Sequence, residues 1–401
     1  MRPQPASEFR EIAHSGGEVT YLIERTAEGR TSLTLRYSMA RPNAMAMVGV
    51  YALFPGIPIA RMELKGLFQK SDPPPTPNSV PVFLLSDSEG HFDHKCLACS
   101  GYWRSGPWPN VCPYCHLRED DLNFLSDAQR AYVAHCCQEL EAALTGGEAS
   151  ATIDLDSAAD ACLNDLPRPS FYVSEESQQH RFTCRACGEF NDIIGRFGYC
   201  SKCGTRCDVV EFEEKEVGEI RARLAAGASP ENCLRDAVAA FDSVVSQYAK
   251  QLAYLVPSTK ARKHRLTRQR FHDVEDVHAV LSQWFDIDIF KGVKEEARNA
   301  ITLGFLRRHL FEHNGGEVDQ KFLDKVQGGT YRLKQRLRET EQDVAAILGP
   351  LTQIVRNLHN GFHELFPPVS EPIELHQATL AARKAPRPSR SASSPGGRWG
   401  G

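Results

Sequence analysis

Eight of the thirteen cysteines fall into two groups of identical spacing, which constrain the fold more than any other feature of this 401-residue chain. Each group has a Cys-x2-Cys pair, twelve intervening residues and a second Cys-x2-Cys pair. The groups are Cys96, Cys99, Cys112 and Cys115, and Cys184, Cys187, Cys200 and Cys203. Because two such turns place four thiolates around one tetrahedral ion, the spacing predicts two structural Zn²⁺ ions. Corresponding cysteines are 88 residues apart, which indicates either duplication of one module or two separately recruited copies.

Other side chains close to these groups are alternative ligands. His94 and His116 flank the first group, and Cys207 follows the second. The regular cysteine spacing favours ligand sets without them. Four thiolates leave no open coordination position on the ion, so a structural metal is favoured over a catalytic one. The repeated spacing also favours metal binding over the alternative that these cysteines are buried thiols or redox pairs. The other cysteines are interpreted as packing residues: Cys136, Cys137, Cys162 and Cys233.

The composition is that of an ordinary globular protein, with 41% apolar residues, 24% charged residues and a formal charge of −4. Without a global basic excess, any nucleic-acid binding requires a local patch. The odd number of cysteines excludes a complete disulfide framework. No apolar run has the length needed to span a bilayer, so the sequence predicts a cytoplasmic protein without a membrane partner.

The order of patterns along the chain predicts a multidomain α+β protein. Short β-rich runs separated by turn signals occupy 19–24, 31–37 and 46–54, and a further strand pattern covers 80–85. The predicted units are a β-rich N-terminal domain at 1–90, zinc ribbons at 91–118 and 178–212, a mixed connector at 119–177, an all-α domain at 229–370 and a disordered tail at 371–401. The N-terminal domain is a candidate contact for a protein partner.

The last third of the chain reads as a helical bundle. Ser229-Pro230 opens a long amphipathic helix. Further helical patterns cover 273–289, 294–313, 319–326 and 331–365. The tail beyond the bundle lacks the apolar content that offsets the entropy of ordering.

Within this region Arg308, His309 and His313 precede an Asn-Gly-Gly turn. Helical spacing places the two histidines on one face with Arg308 beside them. Imidazoles that titrate near neutrality and an arginine that binds phosphate are suited to acid–base chemistry on a phosphodiester. The alternative is a solvated face of a surface helix.

The Arg308-His309-x3-His313 pattern, late in a helical domain, resembles the catalytic motif of the HEPN (higher eukaryotes and prokaryotes nucleotide-binding) ribonucleases. The resemblance covers residues 229–366 and implies a HEPN-like bundle that forms a homodimer with two motifs in one cleft. It implies His313 as general base on a ribose 2′-hydroxyl, Arg308 as stabiliser of phosphate charge and His309 as an assisting group, with no metal in cleavage. Some members of the superfamily are thought to bind nucleotides or RNA without cutting.

A basic segment at 260–270, between the first two predicted helices, has six Lys or Arg in eleven residues. Such a field holds an RNA backbone and weakens with salt, although charge runs are also common in solvated loops. The candidate RNA-binding residues are Lys260, Arg262, Lys263, Arg265 and Arg268.

Aromatic and basic residues around the first cysteine group have two interpretations: Tyr102, Trp103, Arg104, Trp108 and Tyr114. They can stack on bases, but packing against neighbours is favoured because Trp and Tyr are mostly buried. The sequence therefore favours a zinc-ribbon protein with a HEPN-type, metal-independent endoribonuclease, acting in defence or stress. The alternative is a non-catalytic adaptor that binds RNA, a nucleotide or a protein.

Overall fold

A computed structural model describes residues 9–11, 17–25, 31–39, 46–63, 74–163, 173–175, 179–268, 271–326 and 331–384. Antiparallel sheets with two helices form the N-terminal region, a four-stranded sheet lies next to both cysteine groups, and helices follow. Within these ranges, no helix combines the length and the apolar character needed to cross a bilayer.

Two three-stranded antiparallel sheets form the N-terminal region. In sheet order, the strands are β3 (Thr31–Met39), β2 (Gly17–Arg25) and β9 (Ser150–Asp154), and then β5 (Ile57–Met62), β4 (Met47–Leu53) and β6 (Ser79–Leu85). Alternate residues of β2, such as Val19 and Tyr21, are buried, because successive side chains of a strand point to opposite faces. The strands expected at 19–24, 31–37, 46–54 and 80–85 are confirmed.

The predicted connector at 119–177 contributes to this N-terminal core. Helix α1 (Asp127–Gly146) begins at a capping box between Ser126 and Gln129. Its buried face packs with strands of both sheets, and α2 (Leu155–Leu163) covers the same core. β9 pairs with β2, and β10 (Val173–Glu175) pairs with β1 (Phe9–Glu11). The predicted domain boundary at residue 90 therefore falls inside one packed unit, because β9, which follows the boundary, pairs with β2, which precedes it.

One four-stranded antiparallel sheet unites the two predicted zinc ribbons. Its order is β11 (Gln179–Thr183), β12 (Phe190–Ile194), β8 (Tyr102–Ser105) and β7 (Phe92–Lys95). Each ribbon supplies one hairpin, and the hairpins meet where β8 pairs with β12. The ranges 91–118 and 178–212 are thus halves of one sheet.

Most of the C-terminal helices share one large apolar core. The helices of this region are α3 (Asp208–Val210), a π-helical segment (Glu211–Glu216), α4 (Val217–Ala225), α5 (Pro230–Leu255), α6 (Lys260–Arg268), α7 (Val274–Phe285), α8 (Glu295–His313), α9 (Gln320–Lys325), α10 (Glu341–Leu365) and α11 (Ser370–Lys384). The helical region begins ahead of residue 229, because Phe212, Val217 and Ile220 pack into this core. The second ribbon therefore leads directly into the bundle.

Two sequence expectations for this region were wrong. A helix from 331 was expected, but α10 begins at Glu341, where Thr340 and Asp343 form a capping box. The preceding chain from residue 331 is non-helical, with a turn at Lys334, and pairs with the turn after α8, for example from Val318 N to Gln335 O at 2.9 Å. The tail was expected to be disordered from 371, but α11 continues to Lys384 and packs Ile373 against the second cysteine group. Residues 385–401 lie outside the described ranges.

Candidate functional site

The first cysteine group forms a compact thiol cluster. The Sγ atoms of Cys96 and Cys115 are 3.7 Å apart, and those of Cys99 and Cys112 are 3.6 Å apart. All four sulfurs lie within 4.8 Å of one another. Four sulfurs at about 2.3 Å from a tetrahedral zinc lie about 3.8 Å from each other. The four thiols thus stand where the thiolate ligands of one such ion belong, and the cluster can hold a metal.

The second group has the same geometry. The Sγ atoms of Cys184 and Cys203 are 3.7 Å apart, and those of Cys187 and Cys200 are 3.5 Å apart. These four sulfurs also lie within 4.8 Å of one another. All thirteen cysteines lie within the described ranges, and none of them is in a disulfide.

The two modules share backbone conformation as well as spacing. The residue after each second cysteine of a pair has a left-handed conformation, with φ of 58° at Ser100, 61° at His116, 75° at Gly188 and 79° at Gly204. Each of these amides donates to the carbonyl of the first cysteine of its pair. The same turn therefore occurs four times, twice around each thiol cluster.

Hydrogen bonds between the modules are reciprocal. Val111 N donates to Ser201 O and Tyr199 N donates to Pro113 O, both at 2.9 Å. Val111 corresponds to Tyr199 and Pro113 to Ser201, each 88 residues apart. The modules are therefore related by a local two-fold axis, as two identical chains are in a symmetric dimer.

The three alternative ligands lie outside the thiol clusters. His94 is buried with Nε2 at 2.8 Å from Gly106 O. His116 Nε2 faces Arg118 at 3.3 Å, and the thiol of Cys207 accepts from Gly198 N. Each of these groups has a structural partner, in agreement with the preference for cysteine ligands alone.

Most of the aromatic residues near the first cluster pack inside the protein. Trp103 is fully buried and contacts Phe124 edge-to-face. The Tyr114 hydroxyl accepts from Ile194 N at 2.9 Å and donates to Tyr102 O, so it joins both ribbons. Burial removes these rings from the surface on which a base would stack, which supports the packing interpretation. Arg104 is buried as well, between acidic side chains.

The last turn of α8 carries the predicted histidine pair. His309 and His313 are exposed, and their ring centroids are 4.7 Å apart, as expected for positions four residues apart on one helix face. Burial, followed by the charge of His313, lowers the pKa of His309. The helix ends at an Asn-Gly-Gly turn, and Asp319 caps the next helix by accepting from Phe322 N.

Arg308 lies on the inward side of this turn, about 100° around the helix from His309. It follows the buried positions Ile301 and Phe305 along the core-facing stripe of α8, and its side chain is 8% exposed. Its Nη1 lies 3.3 Å from His272 Nδ1, and its buried Nε has no hydrogen-bond partner among the described residues. His272 Nε2 in turn lies 3.5 Å from Asp242 Oδ2. The structure therefore joins the histidines to each other and Arg308 to a third histidine.

A small cleft adjoins His272 between α7, α8 and α9. Its volume is about 220 Å³, and its walls include Thr302, Phe305 and Lys325. Lys325 reaches across to Asp273 at 3.1 Å. A volume of this order accommodates one small polar group of a ligand, close to the Arg308 side chain.

The neighbouring Arg307 has a different role from Arg308. Its Nη1 donates to Glu339 at 3.2 Å and its Nη2 to the Tyr331 hydroxyl at 3.1 Å, so it anchors the non-helical chain before α10. Burial raises the pKa of Glu339 to about 7, although Arg307 opposes this shift. Arg307 and Arg308 are adjacent in sequence, but they have different partners in the tertiary structure.

The basic segment forms a helix, α6, instead of a loop. Leu266 is buried against α5, and the candidate residues Lys260, Arg262, Arg265 and Arg268 are exposed, with Lys263 half-buried. The guanidinium groups of Arg262 and Arg265 lie 5.3 and 5.2 Å from the Trp284 ring centroid. Within the described ranges, no carboxylate lies within ion-pairing distance of the five candidates.

Comparison with known proteins finds no match: no protein-family model, curated protein or solved structure is similar to this chain at a significant level. The contacts described above therefore carry the functional argument. Sequence reasoning missed His272 and Asp242, which helix packing brings to Arg308, and Trp284, which helix packing brings to Arg262 and Arg265. No fixed spacing in the sequence marks them.

Proposed function

We propose that this protein is a metal-independent endoribonuclease with two structural zinc ions. The single observation that carries the catalytic proposal is the exposed His309–His313 pair at the end of α8, directly beside the buried cation Arg308. Exposed imidazoles can exchange protons with a substrate, and a cation held at low exposure favours an approaching phosphate. The HEPN resemblance of the Arg308-His309-x3-His313 pattern supports the same reaction.

In this proposal His313 removes the proton from a ribose 2′-hydroxyl, and the resulting oxygen attacks the adjacent phosphorus. Arg308 stabilises the charge on the phosphate, and His309 orients or assists its neighbour. The P–O5′ bond breaks, the departing oxygen takes up a proton, and the products are a 2′,3′-cyclic phosphate and a 5′-hydroxyl. A homodimer formed through the helical region would place two motifs in one cleft.

Zinc is proposed for both thiol clusters because four thiolates in a tetrahedron match its preferred ligands. Sulfur separations of 3.5 to 3.7 Å support this choice. A bound ion would fix the turns of a region whose apolar core around the first cluster is small. The residues of each cluster leave no open position, so these ions would serve folding and not cleavage.

Helix α6 is proposed as the surface that holds the RNA backbone. Its exposed cations, which have no carboxylate partner among the described residues, create a positive field. Arginines elsewhere in the bundle pair with acids, for example Arg298 with Glu275. A cytoplasmic role in defence or stress remains part of the proposal, as does a protein partner for the N-terminal sheets.

The test is RNA cleavage by the purified full-length chain with and without a chelator of divalent ions. We expect cleavage that persists with chelator, and a loss of roughly a hundredfold or more in His313→Ala. His135→Ala, a half-buried histidine of α1, is the matched control and should retain activity. Cleavage by His313→Ala at the parental rate contradicts the proposal.

A second candidate, a non-catalytic RNA-binding adaptor, is favoured by the same cations of α6, which lack carboxylate partners in the described ranges. It requires saturable, salt-dependent RNA binding without cleavage, and binding that His313→Ala does not change. A gel shift at two salt concentrations, run beside the cleavage assay, separates the two functions.

A further inference from the structure

A chain of three polar side chains from three segments ends at Arg308. Asp242 lies in the middle of α5, His272 directly before α7 and Arg308 near the end of α8. Asp242 Oδ1 accepts from Phe271 N at 2.6 Å, which fixes the backbone beside His272. Asp242 Oδ2 lies 3.5 Å from His272 Nε2, and His272 Nδ1 lies 3.3 Å from Arg308 Nη1.

The chemistry of arginine determines the direction of this chain. A guanidinium has only N–H donors, so Arg308 donates and His272 Nδ1 accepts. His272 is then the neutral tautomer with its proton on Nε2, the nitrogen that lies 3.5 Å from Asp242 Oδ2. The carboxylate thus selects the tautomer that accepts from Arg308.

Arg308 depends on this contact for its orientation. The structure gives it no carboxylate within ion-pairing distance in the described part of the chain, and its Nε has no partner there. Its neighbour Arg307, by contrast, is held by Glu339 and Tyr331. A neutral acceptor fixes a guanidinium without neutralising its charge, which a carboxylate would do. The charge therefore remains available to a phosphate.

We propose that His272 is a positioning residue, which holds the Arg308 guanidinium in the orientation that meets the scissile phosphate and is itself oriented by Asp242. The inference rests on the proposed ribonuclease function. His272 does not move a proton in the reaction; it acts through Arg308. His272 also lines the cleft of about 220 Å³ beside α8.

The test compares steady-state cleavage of one RNA by full-length His272→Ala and His272→Asn. Loss of the acceptor should lower kcat by roughly tenfold to a hundredfold with little change in KM, because a misplaced group costs rate more than binding. Asn places its amide oxygen near the position of Nδ1 and should recover most of kcat. The matched control is His278→Ala, a half-buried histidine of α7 that also faces a carboxylate, Asp288 at 3.6 Å, and it should cut normally.

Two outcomes would overturn the inference: His272→Ala cutting at the parental rate, or a folded His272→Asn that is as slow as the alanine variant. If the parent chain itself does not cut RNA, the ribonuclease proposal fails and the contact is tested separately. A double-mutant cycle of His272→Ala and Arg308→Ala on thermal unfolding should then show non-additive effects. Additive effects would show that the two side chains do not support each other.

Discussion

Arg104 and Asp192 occupy corresponding positions of the two cysteine modules and face each other across the β8–β12 pair, with Nη1 donating to Oδ2 at 2.6 Å. The two positions are 88 residues apart in sequence, and the local two-fold axis passes between them. At this axis the two modules carry opposite charges, whereas two identical charges would repel each other there. Arg104 also binds Asp87, so one buried cation ties both hairpins and the chain after β6 together.

Removing this cation should destabilise the protein strongly. Arg104→Met takes the guanidinium away from the buried Asp87 and Asp192, which keep only weaker contacts such as Arg181 with Asp192 at 3.3 Å, and we expect a loss of about 3–5 kcal/mol in the free energy of unfolding. Urea unfolding followed by fluorescence measures it. Adding Asp87→Asn and Asp192→Asn to Arg104→Met should recover part of the loss. Arg383→Met, in exposed α11, is the control and should change stability by less than about 0.5 kcal/mol.

Each cysteine cluster should bind its own metal ion independently of the other cluster. We expect two zinc ions per purified chain, and one in Cys96→Ser, because three thiolates bind the ion much more weakly than four. Metal analysis of protein freed from loosely bound ions measures this. Cys136→Ser, a buried thiol outside both clusters, should keep two ions. Two ions in Cys96→Ser would argue against the first site.

Glu339 should make stability depend on pH. Its folded pKa of about 7 exceeds the unfolded value of about 4.3, so the folded state binds this proton more tightly. The free energy of unfolding should therefore fall as pH rises from about 4 to about 7 and stay level above, as far as this group is concerned. Glu339→Gln should remove that component. Urea unfolding at several pH values compares the slopes, and equal slopes in parent and variant would contradict the prediction.

RNA affinity should depend on α6. Replacing Arg262 and Arg265 by Glu should weaken binding and reduce the slope of log affinity against log salt by about 0.7 for each phosphate of single-stranded RNA that the variant no longer neutralises. Fluorescence anisotropy at several salt concentrations measures both. The control carries the same charge change at Arg383 and Lys384, the last residues of α11. An equal weakening in the two variants would point to net charge instead of a specific surface.

Local patterns predicted the elements that depend on local physics. Strand β2 follows two-residue alternation, and α5 follows the three- and four-residue spacing of residues such as Leu234, Val238 and Phe241. Segments whose structure depends on distant partners were misjudged. The chain before Glu341 has a helical composition, but it is non-helical and pairs with the turn after α8. Helix α11 has no fully buried residue, but its Ile373 packs against the second cysteine cluster, a contact that the sequence pattern does not show.

The candidate sites divide in the same way. Cysteine spacing was sufficient to identify both clusters, because each turn brings its two thiols together and twelve residues return the chain. The sequence motif in α8 predicted that His309 and His313 lie next to each other, since four residues make about one helical turn. It did not reveal that Arg308 turns inward to His272, because this contact depends on how α5, α7 and α8 pack.

The sequence by itself determined the two cysteine clusters, the long helices and the histidine pair, since each depends on residues within a few turns or one hairpin of one another. Only the tertiary structure decided that the two cysteine modules join in one sheet around Arg104 and Asp192. It also decided that α1, α2 and β9 complete the N-terminal core. These relationships form between segments many residues apart, where the free energy of burial and pairing selects partners that local spacing does not encode.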